Sequence, residues 1–151
     1  MKLPRRRFLH LAAGAAALPV TSRIAWAQAY PTRPIQIGEN FSLIAGMQAA
    51  LDADACDHVM PDLERIGGVT GWRRAAALAA ERNIKMSSHL YSEISAHLLA
   101  ITPTRHYLEY MDWADKVLQE PLRIVDGHAV IPQRPGSGLV WDARAVERYR
   151  V

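Results

Sequence analysis

The sequence predicts an α/β protein in which short parallel strands alternate with helices. Two observations support this fold class. Between residues 35 and 121, short β-like runs are each followed by a turn and, for the first three, by a helical stretch. Each run also ends on an ionisable side chain: Glu39, Asp62, His89 and Glu109. The carboxyl ends of the strands of a βα barrel converge on one face, where the chemistry lies. We therefore expect four consecutive βα units of a partial (β/α)8 barrel with one polar face.

The individual elements follow from hydrophobic periodicity and from turn residues. The predicted strands are short runs at 35–39, 57–61, 84–88 and 106–108. The predicted helices have apolar residues at helical spacing or are rich in alanine, and they cover 42–53, 69–82 and a stretch that ends near residue 99. Ser42 is expected to cap the first helix, and Asn83 is expected to end the second.

The pattern changes after the barrel segment at 35–121, and residues 122–151 form a predicted C-terminal tail. Two short β-like runs flank Asp126-Gly127, a pair that is typical of a tight hairpin turn. Prolines and glycines then indicate a loop. Asp142 is expected to cap a short terminal helix that reaches Tyr149.

The first 29 residues have the features of an export signal peptide, and residues 30–34 form a linker. Arg5-Arg6-Arg7 precedes an apolar run at 8–20, which is shorter than the roughly 20 residues that a membrane span needs. The arginines resemble a twin-arginine signal, and the flank at 30–34 makes the segment similar to the start of tricarboxylate-transporter solute-binding proteins. We expect a periplasmic protein, or a cytoplasmic one if the leader is not used. An amphipathic or buried N-terminal helix is the alternative.

Composition narrows the function classes. The chain has 151 residues, of which 50% are hydrophobic, and a net charge of +3, values that suit one domain with a packed core. Arg5, Arg6 and Arg7 cluster at the start of the chain, and Arg144, Arg148 and Arg150 fall at its end. Nothing between these two clusters forms a basic stripe with interleaved aromatics, so nucleic-acid binding is not expected. Cys56 is the single cysteine, and we interpret it as a buried structural thiol rather than a metal ligand.

Several motifs together carry a resemblance to a known family. They are Gly-Glu-Asn at 38–40, Met-Pro-Asp at 60–62, Ile-Gly-Gly-Val-Thr-Gly-Trp at 66–72, Met-Ser-Ser-His at 86–89, Glu-Ile-Ser-Ala-His-Leu at 93–98 and Leu-Glu at 108–109. In this order and spacing, residues 35–151 resemble the last four strands of an enolase-superfamily barrel, in the mandelate racemase branch of the mandelate racemase and muconate lactonizing enzyme family. Asp62 stands where the muconate-cycloisomerase branch has lysine, which favours racemases and acid-sugar dehydratases.

The resemblance implies a role for each residue at a strand end. Glu39 corresponds to the third of three carboxylates that hold Mg²⁺. Asp62 and His89 correspond to an Asp–His dyad whose imidazole removes or returns the proton α to a carboxylate. Glu109 corresponds to the acid that donates a hydrogen bond to the substrate carboxylate as the enediolate forms. The implied partner is a small carboxylate substrate, a 2-hydroxy acid, because a metal ion and an acid together stabilise the developing dianion.

The resemblance also indicates what residues 35–151 do not supply. Family members draw two further metal carboxylates and a Lys-x-Lys pair from the first half of the barrel, whereas this chain has lysine only at positions 2, 85 and 116. We expect a fragment that is inactive by itself, with open strand edges and an apolar interior face that favour instability or self-association. The alternatives are a non-catalytic or vestigial exported protein, or a periplasmic solute-binding protein, which the leader alone suggests.

Overall fold

A computed structural model of the chain describes residues 32–150. The predicted export leader at 1–29 and the first part of the linker at 30–34 lie outside the described residues, so both stay predictions. Between residues 32 and 150, no helix has the length and apolar character that crossing a bilayer requires.

The predicted parallel sheet is present, although its strands are shorter than the sequence suggested. β1 (Gln36–Ile37), β2 (His58–Val59) and β3 (Lys85–Met86) pair in that order, and all the pairs are parallel. Gly38 has a φ of 136° and turns the chain out of β1. Pro61 lacks an N–H group with which to extend the ladder beyond β2. These local features confine regular pairing to two residues per strand.

The fourth predicted strand, at 106–108, is not a regular strand. A single parallel bridge joins Arg105 to Met86, and the His106 N–H donates to the Met86 carbonyl over 2.8 Å. The Ser88 N–H donates to the Tyr107 carbonyl over 3.0 Å. The segment therefore runs beside β3 in the expected direction, but its bridge lies just before the predicted start.

Three helices connect or follow the strands close to the predicted positions. They are α1 (Leu43–Asp52), α2 (Gly68–Glu81) and α3 (Ser92–Ala100). Ser42 stands at the N-cap of α1 as expected, but its side chain makes no capping hydrogen bond. Gly67 has a φ of 98°, a left-handed conformation that glycine adopts without strain, so it turns the chain into α2.

The hydrophobic core lies between the sheet and the helices. It includes the buried side chains Met47, Val59, Trp72, Met86 and Leu98. Trp72 is 0% exposed, and its indole N–H donates to Thr102 Oγ1 over 3.1 Å. Thr102 Oγ1 in turn donates to the Leu98 carbonyl over 2.8 Å. One buried aromatic side chain thus ties α2 to the end of α3, because its polar atom has a partner.

The opposite face of the sheet is polar, which corrects the expectation of an apolar interior face. Ser87 Oγ donates to Gln36 Oε1 over 3.3 Å and lies 3.4 Å from His106 Nδ1. The rings of His58 and His106 are 5.0 Å apart between centroids. Alternation along the strands explains this arrangement, since Val59 and Met86 point to the helices while their neighbours point away.

The C-terminal tail confirms the predicted hairpin and terminal helix. β4 (Arg123–Val125) and β5 (His128–Val130) pair antiparallel, with Val125 opposite His128. Asp126 and Gly127 form the two-residue turn, and both have positive φ, as the favoured hairpin turns require. A 3-10 turn at Asp115–Val117 precedes the hairpin. Asp142 Oδ1 accepts hydrogen bonds from the first turn of α4 (Ala143–Arg148).

Candidate active site

The four residues at the predicted strand ends follow parallel elements on one edge of the sheet. Glu39 comes two residues after β1, and Asp62 and His89 come three residues after β2 and β3. Asp62 and His89 are parallel bridge partners, so their backbones are adjacent. Glu109 follows the extended segment that runs beside β3. Because carboxyl ends of parallel strands meet at one edge, the topology gathers these residues on a common rim.

His89 and Glu109 form a close side-chain contact at the rim. His89 Nδ1 lies 3.0 Å from Glu109 Oε2, and the same oxygen accepts the Leu90 N–H over 2.8 Å. His89 Nδ1 is buried and makes no hydrogen bond of acceptable angle, so the contact with Glu109 is a close pairing rather than an aligned hydrogen bond. The contact with Glu109 thus involves Nδ1 and leaves Nε2 outside it.

Asp62 is held by its own loop. Asp62 is 4% exposed, and its Oδ1 accepts a hydrogen bond from the Arg65 N–H over 3.0 Å. Among residues 32–150, the one carboxylate paired with His89 is that of Glu109. The side-chain dyad of Asp62 with His89 that the resemblance implies therefore stays a prediction, although the two residues are backbone neighbours.

Glu39 lines an open cavity of about 490 Å³, together with Gly38, Asn40 and Met60. Its Oε1 accepts a hydrogen bond from Asn40 Nδ2 over 3.2 Å, and Asn40 Oδ1 accepts one from the Arg65 guanidinium. A carboxylate oxygen is the donor type that Mg²⁺ prefers. Within the described part of the chain, no three His, Cys, Asp or Glu side chains converge on a metal position. Glu39 therefore fits as one ligand of a metal ion.

Two buried serines that sequence reasoning did not single out position Glu109. Ser88 Oγ accepts the Glu109 N–H over 2.9 Å. Ser92 Oγ donates to the Glu109 carbonyl over 3.1 Å and accepts the Met111 N–H over 3.0 Å. Both serines are 1% exposed. The signal for Ser88 was its position at the end of the predicted strand at 84–88, directly before His89, where a buried hydroxyl needs a partner.

The turn after His89 also shapes the rim. Leu90 and Tyr91 have φ of 51° and 47°, a conformation that costs free energy in residues other than glycine and that often marks a functional site. This turn aims the Leu90 N–H at Glu109. Tyr91 donates its hydroxyl to Glu64, and this hydrogen bond, followed by burial, raises the pKa of the Tyr91 phenol.

Residues 16–145 of the chain match the family described as "Enolase C-terminal domain-like". The chain therefore belongs to this enolase-superfamily family. This membership confirms the α/β class and the barrel-fragment architecture, while the count of four βα units stays a prediction.

Three relatives illustrate which proteins the chain is similar to. A D-xylonate dehydratase of Haloferax volcanii is 36% identical over 80% of this chain and 31% of its own length. A Bradyrhizobium enolase crystallised with magnesium and mandelic acid is 48% identical, with a TM-score of 0.76 over 80% of this chain and 33% of its own. A Streptomyces coelicolor racemase with bound magnesium is 34% identical, with a TM-score of 0.72 over 78% and 32%. The chain thus spans about a third of the length of these relatives.

Proposed function

We propose that the chain supplies the acid–base part of a Mg²⁺-dependent active site that removes the proton α to the carboxylate of a 2-hydroxy acid. The observation that carries the proposal is the pairing of His89 Nδ1 with Glu109 Oε2 at 3.0 Å, directly beside the buried Asp62. Support comes from the relatives, which include a racemase, a dehydratase and an enolase with mandelic acid. The solute-binding alternative gains no support from these matches.

His89 is the proposed proton carrier. Nδ1 lies beside Glu109 Oε2, so we assign to Nε2 the acceptance of the α-proton of a bound acid. Imidazole is suited to this step because it can take up and return a proton near neutral pH. The Glu109 carboxylate lies beside this ring and can orient it and stabilise the imidazolium. Asp62 is a backbone neighbour of His89, and the family resemblance proposes the same role for its carboxylate. The free side of Glu109 can donate a hydrogen bond to the substrate carboxylate when Glu109 is protonated.

Glu39 is the proposed metal ligand, with the Asn40 amide beside it. Bound Mg²⁺ would stabilise the negative charge that develops on the substrate oxygens. Protein-held Mg²⁺ usually needs more than one carboxylate or a phosphate. We therefore expect the remaining ligands to come from polypeptide other than residues 32–150, and we expect the chain to be inactive by itself.

Complementation of the barrel tests this function. The full chain would be mixed with the segment of the Bradyrhizobium enolase that it does not cover, and α-proton exchange of mandelate in D₂O with Mg²⁺ would be followed by NMR. We expect exchange from the mixture, none from either polypeptide alone, and loss of exchange with His89→Asn. His128→Asn is the matched control, because His128 is exposed in the hairpin. Exchange that survives His89→Asn, or silence from a mixture shown to associate and fold, would refute the proposal.

The same mixture distinguishes the proposed roles of Asp62 and Glu109. Asp62→Asn and Glu109→Gln preserve the shape of each side chain and remove its charge. If Asp62 orients the imidazole in the assembled site, Asp62→Asn lowers the exchange rate constant more than Glu109→Gln lowers it. The reverse order would indicate that the pairing of His89 with Glu109 is the functional one.

The proposal extends to location and assembly. The predicted leader at 1–29 would direct the chain to the periplasm, and replacement of Arg5 and Arg6 by lysine should keep it in the cytoplasm in a fractionation experiment. The open edges of the sheet, at β1 and at the segment after Thr104, would favour self-association. Sedimentation that shows a monomer stable to dilution would contradict this part.

A further inference from the structure

Arg65 contacts both the loop that carries the proposed metal ligand and the loop that carries Asp62. Its guanidinium donates to Asn40 Oδ1, and Asn40 Nδ2 donates to Glu39 Oε1 over 3.2 Å. Its backbone N–H donates to Asp62 Oδ1 over 3.0 Å. The side chain of this one residue therefore reaches the loop after β1, while its backbone holds the carboxylate of the loop after β2.

A second backbone contact fixes the point from which the Arg65 side chain extends. The Leu43 N–H donates to the Arg65 carbonyl over 2.9 Å, and Leu43 is the first residue of α1. The start of α1 and the loop after β2 are thus joined by backbone groups alone. These groups are present whatever the side chain is, so a substitution at position 65 can remove the guanidinium contact and leave the backbone contacts in place.

The guanidinium determines the orientation of the Asn40 amide. An asparagine side chain offers an acceptor, Oδ1, and a donor, Nδ2, whereas a guanidinium has five N–H donors and no acceptor. Arg65 can therefore bind Oδ1 only, and Nδ2 is left for Glu39. In the reversed orientation, Asn40 Oδ1 would face the Glu39 carboxylate, and the two acceptors would repel each other. A charged donor also makes this contact stronger than one between neutral groups.

The Arg65 guanidinium is not used in an ion pair within residues 32–150. Two acidic residues, Asp62 and Glu64, are close to it in the sequence, but Glu64 accepts the Tyr91 hydroxyl. The side-chain contact of Arg65 is instead with the neutral Asn40 amide. That amide in turn binds Oε1 of Glu39 and leaves Oε2 outside the contact.

We propose that Arg65 is the positioning residue of the metal carboxylate. Through the Asn40 amide it orients Glu39, with Oε1 held by the amide and Oε2 presented to Mg²⁺. This inference rests on the proposed function, in which Glu39 is a metal ligand. Contacts that orient the ligands of a metal ion are typically worth about 10–100-fold in metal affinity. The Asp62 carboxylate does not depend on the guanidinium, because its partner is a backbone N–H.

Isotope labelling of asparagine for NMR tests the positioning on the full chain without metal. The sequence has two asparagines, Asn40 and Asn83, so Asn83 serves as an internal reference. We expect nuclear Overhauser contacts from the Asn40 Nδ2 protons to the Glu39 side chain. Arg65→Met should abolish them, because methionine is unbranched but has no donor, and Arg65→Lys should keep them, because an ammonium is a donor without an acceptor. Arg73→Met, at an exposed position of α2, is the matched control.

The complemented barrel supplies a second readout. We expect the Mg²⁺ concentration for half-maximal α-proton exchange to rise about 10–100-fold in Arg65→Met. Asn40→Ala should raise it similarly, and the double variant should be no worse than either single variant, because both remove one shared contact. The pH dependence of exchange should not move, since Asp62 keeps its backbone partner. A lower maximal rate at an unchanged Mg²⁺ requirement would indicate a merely structural role and would overturn the proposal.

The two readouts separate this inference from the function on which it rests. A folded mixture without exchange would refute the proposed function, and the NMR contacts of the chain alone would still decide whether Arg65 orients Glu39. Contacts that persist in Arg65→Met, or that are absent from the folded parent chain, would overturn the positioning role and leave the proposed function untouched.

Discussion

Replacement of Ser88 by alanine tests how the rim holds Glu109. Ser88 is 1% exposed, and its Oγ is the hydrogen-bond acceptor for the Glu109 N–H at 2.9 Å. Alanine fits the same space but offers no acceptor. The Glu109 N–H would then lack a partner unless a water molecule enters or the segment moves, and either change would displace the carboxylate from His89.

The expected magnitude follows from that single lost acceptor. A buried donor without a partner costs about 1–3 kcal/mol, and little packing is lost because only one oxygen atom is removed. Domains of this size are stabilised by about 5–15 kcal/mol, so the change should be easily measured. Ser42→Ala is the matched control, since the Ser42 hydroxyl makes no capping hydrogen bond, and exposed substitutions of this kind change stability by about 0.5 kcal/mol or less.

Urea denaturation of the parent chain and both variants supplies the measurement. We expect Ser88→Ala to lower the free energy of unfolding by about 1–3 kcal/mol with an unchanged dependence on urea, and Ser42→Ala to stay close to the parent. In the complemented barrel, Ser88→Ala should also reduce α-proton exchange. Equal unfolding free energies for the two variants would refute the assignment of Ser88 as the residue that positions Glu109.

Two further predictions concern glycine and histidine. A Cβ on Gly71 would lie 1.8 Å from the Ile66 carbonyl oxygen, so Gly71→Ala should lower the free energy of unfolding by at least about 1–3 kcal/mol. A Cβ on Gly46 meets only ordinary contacts, so Gly46→Ala should raise the free energy of unfolding by about 0.5–1 kcal/mol. Urea denaturation measures both, and a change of the same sign in the two variants would contradict this prediction. Burial, His58 and Lys85 lower the pKa of His106 in the folded chain. The unfolded chain therefore binds more protons as the pH falls through 6.5, and the free energy of unfolding should decline over that pH range. His106→Gln should flatten this decline in pH-dependent unfolding, and a decline as steep as that of the parent would show that other groups cause it.

The sequence predicted the parallel sheet and its helices because their signals are local. Hydrophobic periodicity predicts α2, and turn residues predict the hairpin around Asp126-Gly127. Each of these elements is stabilised largely by residues that are its neighbours in the sequence. The bounds of the strands were less accurate, because Gly38 and Pro61 end the pairing earlier than apolar composition suggests. Hydrophobic periodicity also did not reveal that the open sheet face is polar.

The contacts of the rim could be predicted only in part. Parallel topology was enough to expect Asp62 and His89 on one edge, and they are bridge partners. The partner of His89 Nδ1 was not predictable from the sequence. It depends on the left-handed turn at Leu90 and Tyr91, and neither position has the glycine that would predict such a turn. Ser88 and Ser92 were missed for a related reason, since a serine in a strand or at a helix start is common and only burial makes its hydroxyl informative.

The rim owes its geometry to local contacts rather than to closure of a barrel. The Asp62 carboxylate caps its own loop at Arg65. Glu109 is held by Ser88, by Ser92 and by the Leu90 N–H, all within one βα unit. Residues 60–111 therefore contain most of the hydrogen bonds that place the acid–base groups. Protein-held Mg²⁺, in contrast, usually needs more than one carboxylate or a phosphate, and Glu39 is the one metal ligand that we propose within residues 32–150. Proton transfer and metal binding thus depend on different amounts of chain, which is why we expect a segment of this kind to retain the geometry of the first while requiring other polypeptide for the second.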